Sequence, residues 1–177
     1  MSLFSHGDLS LRPVESKDLE KIAALRNDES TWTMLGDPRP VKIGLQQGWL
    51  DGLNRSSDRH YFVVEEKGSG IWIGMVRMDE LDLQNRSIRI GADVAPGLRG
   101  KGYGTKIYEA LKKYCFDELG MHRVWLCVLA TNKPARGLYK KSGFKLEGRY
   151  RKAVWRSGRW VDYLLMSIFD EEYRGRS

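Results

Sequence analysis

The stretch RSIRIGADVAPGLRGKGYGTKIYEALKKY, residues 86–114, contains two changes of pattern that decide the fold. Over residues 86–94 apolar residues alternate with polar ones, which predicts a strand with one buried face. Over residues 106–119 apolar residues recur at helical spacing, and Gly120 is a natural end for that helix. Between them, residues 98–105 include three glycines and two cations. A permissive and basic loop therefore joins a strand to a helix.

Outward from this segment, strands and helices alternate along nearly the whole chain. Before it, the patterns predict strands at 9–12, 60–66 and 71–80, and helices that start with a cap at Ser16 and that cover 41–53. A polar loop at 27–40 separates the two helices. After it, they predict a strand at 124–129, a helix at 132–142 and a hairpin of strands at 144–155 and 159–169.

This order of elements predicts an α/β (α+β) fold without repeating βαβ units. Three consecutive strands favour an antiparallel meander, and the unbroken apolar run at 124–129 favours a central strand covered on both faces. We expect a mixed, mostly antiparallel, twisted sheet of about seven strands with about four helices. The length of 177 residues predicts one domain, 1–177, with a core at about 9–173.

Composition limits the class of protein. Hydrophobic residues make up 41% and charged residues 30%, which excludes a disordered or fibrous chain. No apolar run approaches 18 residues and the start lacks the pattern of a signal peptide, so we expect a cytoplasmic protein without membrane contact. Cys115 and Cys127 are too few for a disulfide framework or a thiolate metal cage, and we predict that they pack in the core and that no metal is bound.

The glycine loop has the properties of an anion site. A helix that begins after a strand directs unpaired backbone N–H groups at one place, and the helix dipole adds positive charge there. Gly100, Gly102 and Gly104 allow a ligand to approach the backbone closely, and Arg99 and Lys101 add charge. The spacing fits neither a P-loop nor the dinucleotide-binding G-x-G-x-x-G. From the loop alone, an anion site and a flexible turn both remain open.

Two segments carry a family resemblance. RGKGYG, residues 99–104, resembles the R/Q-x-x-G-x-G/A motif of the GCN5-related N-acetyltransferase (GNAT) family. NKPARGLYKKSGF, residues 132–144, is similar to the second signature of that family, N-x-x-A-x-x-x-Y-x-K-x-G-F. Both lie in the family's order, and the elements over nearly the whole chain follow that order too. The chain is identified as a member, most similar to the branch of ribosomal-protein N-terminal, spermidine and nucleotide-linked amino-sugar acetyltransferases.

The resemblance implies a GNAT fold with splayed central strands and a site for acetyl-CoA. The pyrophosphate would lie on the loop, and the pantetheine arm in the split beside Ala92 and Val94. Asn132 would contact that arm as well as cap its helix, whereas Lys141 would reach the outer phosphates or simply be solvated. The residues implied for the coenzyme are therefore Ala92, Val94, Arg99, Gly100, Lys101, Gly102, Tyr103, Gly104, Thr105, Asn132 and Lys141.

The resemblance also suggests the catalytic groups. Tyr139 would be the general acid that protonates the leaving thiolate, with packing against the sheet as the alternative. Some members of the family place a glutamate in the middle of the strand that corresponds to residues 86–94, but this strand has Arg89 and Asp93 instead. Glu80 is the nearest candidate for the general base. Asp79 and Glu65 are weaker candidates, and a surface role is the default for all three.

The acceptor stays open between a protein N-terminus, a polyamine and an amino sugar. Asp28, Glu29 and Asp37 in the polar loop favour a polyamine. The net charge of +7 and the basic, aromatic hairpin at 149–160 favour an anionic acceptor or contact with the ribosome. A nucleic-acid-binding module would need neither signature, so we expect no specific nucleic acid. A non-catalytic homologue that binds acetyl-CoA is the other alternative, and the tail strands of this family often form homodimers.

Overall fold

One eight-stranded sheet organises the chain in a computed structural model that describes residues 4–175. Its strands are β1 Phe4–His6, β2 Leu9–Pro13, β3 His60–Glu66, β4 Trp72–Asp82, β5 Ser87–Val94, β6 Arg123–Leu129, β7 Lys145–Arg156 and β8 Arg159–Phe169. Their order across the sheet is β1-β2-β3-β4-β5-β6-β8-β7. All neighbours are antiparallel except β5 and β6, which run parallel. The mixed, mostly antiparallel fold predicted from the sequence is confirmed.

Within the described residues, six α-helices accompany the sheet: α1 Leu19–Asn27, α2 Glu29–Trp32, α3 Gln46–Asn54, α4 Tyr103–Lys113, α5 Lys133–Lys141 and α6 Asp170–Arg174. A π-helical turn, Tyr114–Glu118, extends α4, and short 3₁₀ turns cover Ser16–Asp18, Ile43–Leu45 and Pro96–Leu98. Over residues 4–175, no helix is long and apolar enough to cross a membrane. Residues 1–3 and 176–177, which the predicted domain 1–177 includes, lie outside the described part of the chain.

Three details of the predicted elements were wrong. Strand β1 and helices α2 and α6 have only three to five residues each, too few for a periodic pattern to reveal them. The helix expected over 41–53 begins as a 3₁₀ turn and becomes α-helical only at Gln46. Ser16 does not cap α1. The Asp18 carboxylate accepts the Glu15 N–H at 2.9 Å instead, and it is held in place by Arg12.

The helices cover both faces of the sheet. Helix α4 packs its buried Ile107 and Leu111 into the larger core cluster on one face, and α5 adds partly buried side chains to the same cluster. On the other face, Ile22 of α1 and Leu50 of α3 pack with Met75 of β4 in a smaller cluster. The sheet is therefore a middle layer whose two faces are both protected from water.

Of the two cysteines predicted to pack in the core, Cys115 does so and Cys127 does not. Cys115 is fully buried in the larger cluster and Cys127 is half-buried, and both are free thiols. Burial raises the pKa of the Cys115 thiol to about 12, so almost none of it is thiolate at neutral pH. Among residues 4–175, no group of three or more His, Cys, Asp or Glu side chains could hold a metal ion.

The sheet opens between β5 and β6. Their parallel pairing covers only residues 87–89 opposite 123–125. Beyond that point β5 stays paired with β4 as far as Val94, opposite Gly74, and β6 stays paired with β8 as far as Leu129, opposite Tyr163. Each strand keeps its outer partner and loses its inner one. The splayed central strands that the family resemblance implied are present.

Gly74 allows the close approach of β4 and β5 at the mouth of this opening. A Cβ atom there would lie 2.1 Å from the Asp93 carbonyl oxygen. We expect Gly74→Ala to lower the free energy of unfolding by about 1–3 kcal/mol, because the backbone of β5 must move. Urea denaturation of the variant and the parent protein measures this difference.

Gly48→Ala is the matched control. Gly48 lies in α3, and a Cβ atom there meets nothing within 4 Å. The change should raise the free energy of unfolding by about 0.5–1 kcal/mol, because alanine favours the helix. A Gly74→Ala protein as stable as its parent would contradict the close approach.

Candidate active site

A cleft of about 830 Å³ occupies the opening between β5 and β6. Its walls come from the diverging ends of those strands, the start of α4, one face of α5, the loop that contains α2, and the hairpin of β7 and β8. The volume lies within the usual range of a small-molecule site. Six of the eleven residues that the sequence predicted for the coenzyme line it, namely Ala92, Val94, Arg99, Gly100, Gly104 and Asn132, and so does Tyr139.

The glycine loop forms one end of the cleft. Gly100 and Gly102 have φ values of 77° and 86°, in the left-handed region that favours glycine. Because α4 begins at Tyr103, the N–H groups of Tyr103, Gly104 and Thr105 lie in its first turn and have no intrahelical acceptors. Such N–H groups, together with the positive end of the helix dipole, suit a phosphate group.

The guanidinium group of Arg99 is already hydrogen-bonded within the protein. It donates hydrogen bonds to the Val94 carbonyl at 2.9 Å, to Ser30 Oγ at 2.7 Å and to Thr31 Oγ1 at 2.5 Å. The residue therefore joins the end of β5 to α2. Lys101 is exposed beside the loop, and neither it nor Gly102, Tyr103, Thr105 or Lys141 is among the residues that line the cleft.

The neighbouring strand edges suit a ligand that contains amides. Beyond residue 89, β5 no longer pairs with β6. The backbone groups on the facing edges of these two strands therefore have no partner strand there. An extended amide arm can bind such an edge as an additional strand would. The phosphate-binding loop and the free edge lie in one continuous cleft. The described residues thus fit a long ligand with a phosphorylated end and an amide-bearing arm.

Asn132 and α5 form the opposite wall. The Asn132 side chain accepts the Ala135 N–H at 3.2 Å, which caps α5 as the sequence predicted. Ala135, Leu138 and Tyr139 follow on the face of α5 that lines the cleft. Helix α5 therefore holds Tyr139 at a fixed height above the split in the sheet.

Tyr139 is a protonated phenol inside the cleft. Burial raises the pKa of Tyr139, while a hydrogen bond from the Tyr108 hydroxyl, at 3.2 Å, lowers it. The two rings meet edge to face with centroids 5.0 Å apart, and Tyr108 is itself buried. With its pKa above the ordinary value for tyrosine, Tyr139 holds its proton at neutral pH and can donate it.

The candidate bases lie in different places. Glu80 is exposed, lies outside the cleft lining and accepts a hydrogen bond from Arg89 at 2.9 Å. Asp79 lines the cleft and accepts a hydrogen bond from the Tyr61 hydroxyl at 2.6 Å. Glu65 forms an ion pair with Arg12 at 2.6 Å and is also outside the lining. Of the three, only Asp79 has access to the cleft.

Sequence reasoning missed an arginine pair in the cleft. Arg26 from α1 and Arg77 from β4 both line it, and both lie beside the buried carboxylate of Asp93. One signal was available in the sequence. Arg77 interrupts the apolar run WIGMVRM at the start of β4, residues 72–78, and a charged side chain in such a run needs a partner or a ligand. Its proximity to Arg26, which is 51 positions away in the chain, could only come from the tertiary structure.

Comparisons with known proteins agree with this architecture. A family model described as an acetyltransferase (GNAT) domain matches residues 8–145. The chain is 28% identical to the spermidine N(1)-acetyltransferase of Vibrio cholerae, over 97% of this chain and 99% of that protein. It is 27% identical to a putative ribosomal N-acetyltransferase of Bacillus subtilis, over 94% of each.

Solved structures show the same similarity. The Vibrio cholerae spermidine N-acetyltransferase in complex with CoA and spermine has a TM-score of 0.87 at 28% identity, covering 96% of this chain and 99% of that one. A dodecameric structure of the same enzyme in an intermediate state has a TM-score of 0.84 at 28% identity, covering 97% and 99%. The fold is thus shared along nearly the full length of both chains.

Replacing Tyr108 by Phe tests the environment of Tyr139. The variant keeps the ring contact but removes the hydroxyl that donates to Tyr139, so we expect the pKa of Tyr139 to rise. NMR titration of tyrosine Cζ resonances measures it. Tyr150→Phe, an exposed position on β7, is the control. An unchanged or lower pKa of Tyr139 in the Tyr108→Phe protein would show that the hydrogen bond has no effect.

Proposed function

This chain belongs to the GNAT family of acetyltransferases and is an acyltransferase that uses acetyl-CoA, and we propose that its acceptor is a small-molecule primary amine attacked directly in a ternary complex. The observation that carries the proposal is the single cleft in which the glycine loop, the free edge of β5 and the protonated Tyr139 meet. Direct transfer needs both substrates in one cavity, since the acetyl group then never resides on the protein.

Each part of the cleft has a role in this proposal. Acetyl-CoA supplies an acetyl group activated as a thioester. The N–H groups at the start of α4 bind the pyrophosphate, and backbone groups of Ala92 and Val94 orient the arm and polarise the thioester carbonyl. As the amine nitrogen bonds to the carbonyl carbon and the C–S bond breaks, Tyr139 gives its proton to the departing sulfur.

The acceptor amine must lose a proton before or during the attack. Asp79 lines the cleft and Glu80 does not, so Asp79 or a water molecule beside it is the better-placed proton acceptor. This assignment replaces the order of preference suggested by the sequence. Glu80 then has a structural part, because its ion pair with Arg89 holds the bend at the end of β4.

The relatives support an amine acceptor and differ in which one. Two of the proteins described above are named as acting on spermidine and on a ribosomal target. In the polar loop, two of the three acidic side chains named above have partners within the loop. Asp37 pairs with Arg39, and Asp28 accepts a hydrogen bond from Ser30. Contact with a larger anionic partner stays a prediction. It is based on the basic hairpin, where Trp155 and Trp160 are exposed.

Self-association is also a prediction. The structure of a relative is described as dodecameric. In this chain β7 is an edge strand of the sheet and exposes Leu146, Tyr150 and Trp155. We propose β7 as the surface through which copies of the chain associate, because an exposed apolar edge strand is usually covered.

Tyr139→Phe separates chemistry from binding. Removing the proton donor should lower kcat by about 100-fold or more, while the Kd for acetyl-CoA changes by less than about threefold. Steady-state kinetics measures the first value and titration calorimetry the second. Tyr150→Phe should change neither. Equal losses in kcat and in affinity would assign Tyr139 to packing, and a parent protein that binds acetyl-CoA but acetylates no amine would favour a non-catalytic homologue.

Gly102→Val tests the loop. Valine is strained at a φ of 86° and restricts the approach to the first turn of α4, so we expect the Kd for acetyl-CoA to rise about tenfold or more. Gly97→Ala is the control, since that position has open space and no positive φ. Circular dichroism checks that both variants fold. An unchanged Kd for Gly102→Val would remove the loop from the coenzyme site.

A further inference from the structure

We propose that the acceptor amine carries an anionic group, a carboxylate or a phosphate, which Arg26 and Arg77 bind at the floor of the cleft. The inference rests on the proposed function and specifies its substrate class. It makes Arg26 and Arg77 the residues that determine specificity for the acceptor.

Both guanidinium groups have donors to spare. Arg77 Nη2 lies 3.3 Å from Asp93 Oδ2, and Arg26 Nη1 lies 3.9 Å from the same oxygen. Within residues 4–175 these two ion pairs are the polar contacts of Arg26 and Arg77, and neither donates a hydrogen bond that meets ordinary geometric limits. Arg77 Nε is a buried donor without a hydrogen-bond partner, which an acceptor oxygen of a ligand would complete, whereas Asp93 Oδ2 is a buried acceptor that only a donor would complete. Buried polar groups are rarely left in this state unless a ligand or water completes them.

The charge at this place is also unbalanced. Two cations share one carboxylate, and the side chains of Arg26, Arg77 and Asp93 are only 20%, 26% and 8% exposed. Burial and the nearby Arg77 charge both lower the pKa of Arg26, whereas the Asp93 carboxylate raises the pKa of Arg77, so Arg26 is the less compensated of the two cations. An anionic group on the ligand would make the cluster neutral. A guanidinium is well suited to it, because its planar N–H groups match the oxygens of a carboxylate or phosphate.

Other acidic groups near the cleft compensate this charge only in part. The charge of Asp79 raises the pKa of Arg77, and that of Asp37 raises the pKa of Arg26. Asp37 is paired with Arg39, and Glu80 is paired with Arg89 outside the lining. The charged residues that line the cleft are four arginines and three aspartates: Arg26, Arg77, Arg89, Arg99, Asp37, Asp79 and Asp93. A polyamine would add several positive charges to a cleft that already has an excess of them.

The arginine pair lies next to the reaction centre. A Cβ atom at Gly91 would be 3.0 Å from Arg77 Nη2, so the guanidinium lies directly over that residue of β5. Gly91 precedes Ala92, where the acyl-bearing arm is proposed to bind. The charges of Asp93 and Arg77 both act on the pKa of Tyr139. The anionic group should therefore be only a few bonds away from the reacting amine.

Acceptors of equal length test the inference. We would compare 4-aminobutanoate, 1-aminobutane and 1,4-diaminobutane, which differ only in the group opposite the amine, and add spermidine. The value of kcat/KM should be about tenfold or more higher for 4-aminobutanoate than for the neutral amine, and lower still for the two polyamines. O-phosphoethanolamine compared with ethanolamine distinguishes a phosphate from a carboxylate. A preference for 1,4-diaminobutane or spermidine would overturn the inference.

Variants locate the effect. Arg77→Gln and Arg26→Gln should each reduce the ratio of kcat/KM between 4-aminobutanoate and 1-aminobutane about tenfold, while the Kd for acetyl-CoA stays constant. Asp93→Asn should raise that ratio, because it removes the competing carboxylate. Arg59→Gln, an exposed arginine outside the cleft, is the control. If Arg77→Gln fails to fold, Arg77→Lys keeps the charge but loses the planar donors, and it should still lower the ratio. Ratios that are the same in all variants would overturn the inference.

A direct binding measurement distinguishes failure of this inference from failure of the proposed function. If the protein binds acetyl-CoA but acetylates none of these amines, the proposed function has failed and the arginine pair still has a measurable role. Calorimetric titration of the CoA-saturated protein with 4-aminobutanoate should then show saturable binding that Arg77→Gln abolishes. No heat with the parent protein, for either the carboxylate or the phosphate probe, would reject the anion site itself.

Discussion

The lost pairing between β5 and β6 is the constraint on which the site depends. Each strand is held by its outer neighbour to its very end, so the gap is a property of the sheet and not of a movable loop. The gap leaves one edge of backbone groups without a partner strand, aims the first turn of α4 at its end, and lets α5 cross above it. The close approach of β4 and β5 at Gly74 belongs to the same arrangement, because β5 bends away from β6 while it stays against β4.

Much of this architecture could be predicted because the signals are local. The alternation of apolar and polar residues predicted the strands. The glycine loop and the second signature at 132–144 predicted a site for the coenzyme. The errors arose where the structure depends on contacts between residues that are distant in the sequence. Ser16 is a good cap in isolation, but it lies in a 3₁₀ turn before α1, and that turn is closed by Asp18, which Arg12 holds in place. Glu80 looked available as a base, yet it is turned out toward Arg89. The pair of Arg26 and Arg77 has no local signature, since it forms only when α1 packs on β4.

Similarity to known enzymes and local charge answer different questions about this chain. The relatives match this chain over almost their whole length at 27–28% identity, and family membership identifies acetyl-CoA as the donor. The acceptor half depends on few side chains. There the described residues place two partly buried guanidinium groups against one carboxylate. A substrate name transferred at this level of identity therefore needs to agree with the charge of the cleft before it is accepted.

Arg99 has a consequence for the way the two halves work together. Its three hydrogen bonds connect the end of β5, which borders the glycine loop, to Ser30 and Thr31 of α2, which also line the cleft. Arg99 thus links two walls of the cleft that are far apart in the sequence. A shift of the loop cannot occur without moving α2 or breaking one of these bonds. The two ends of the cleft are therefore mechanically coupled through this side chain.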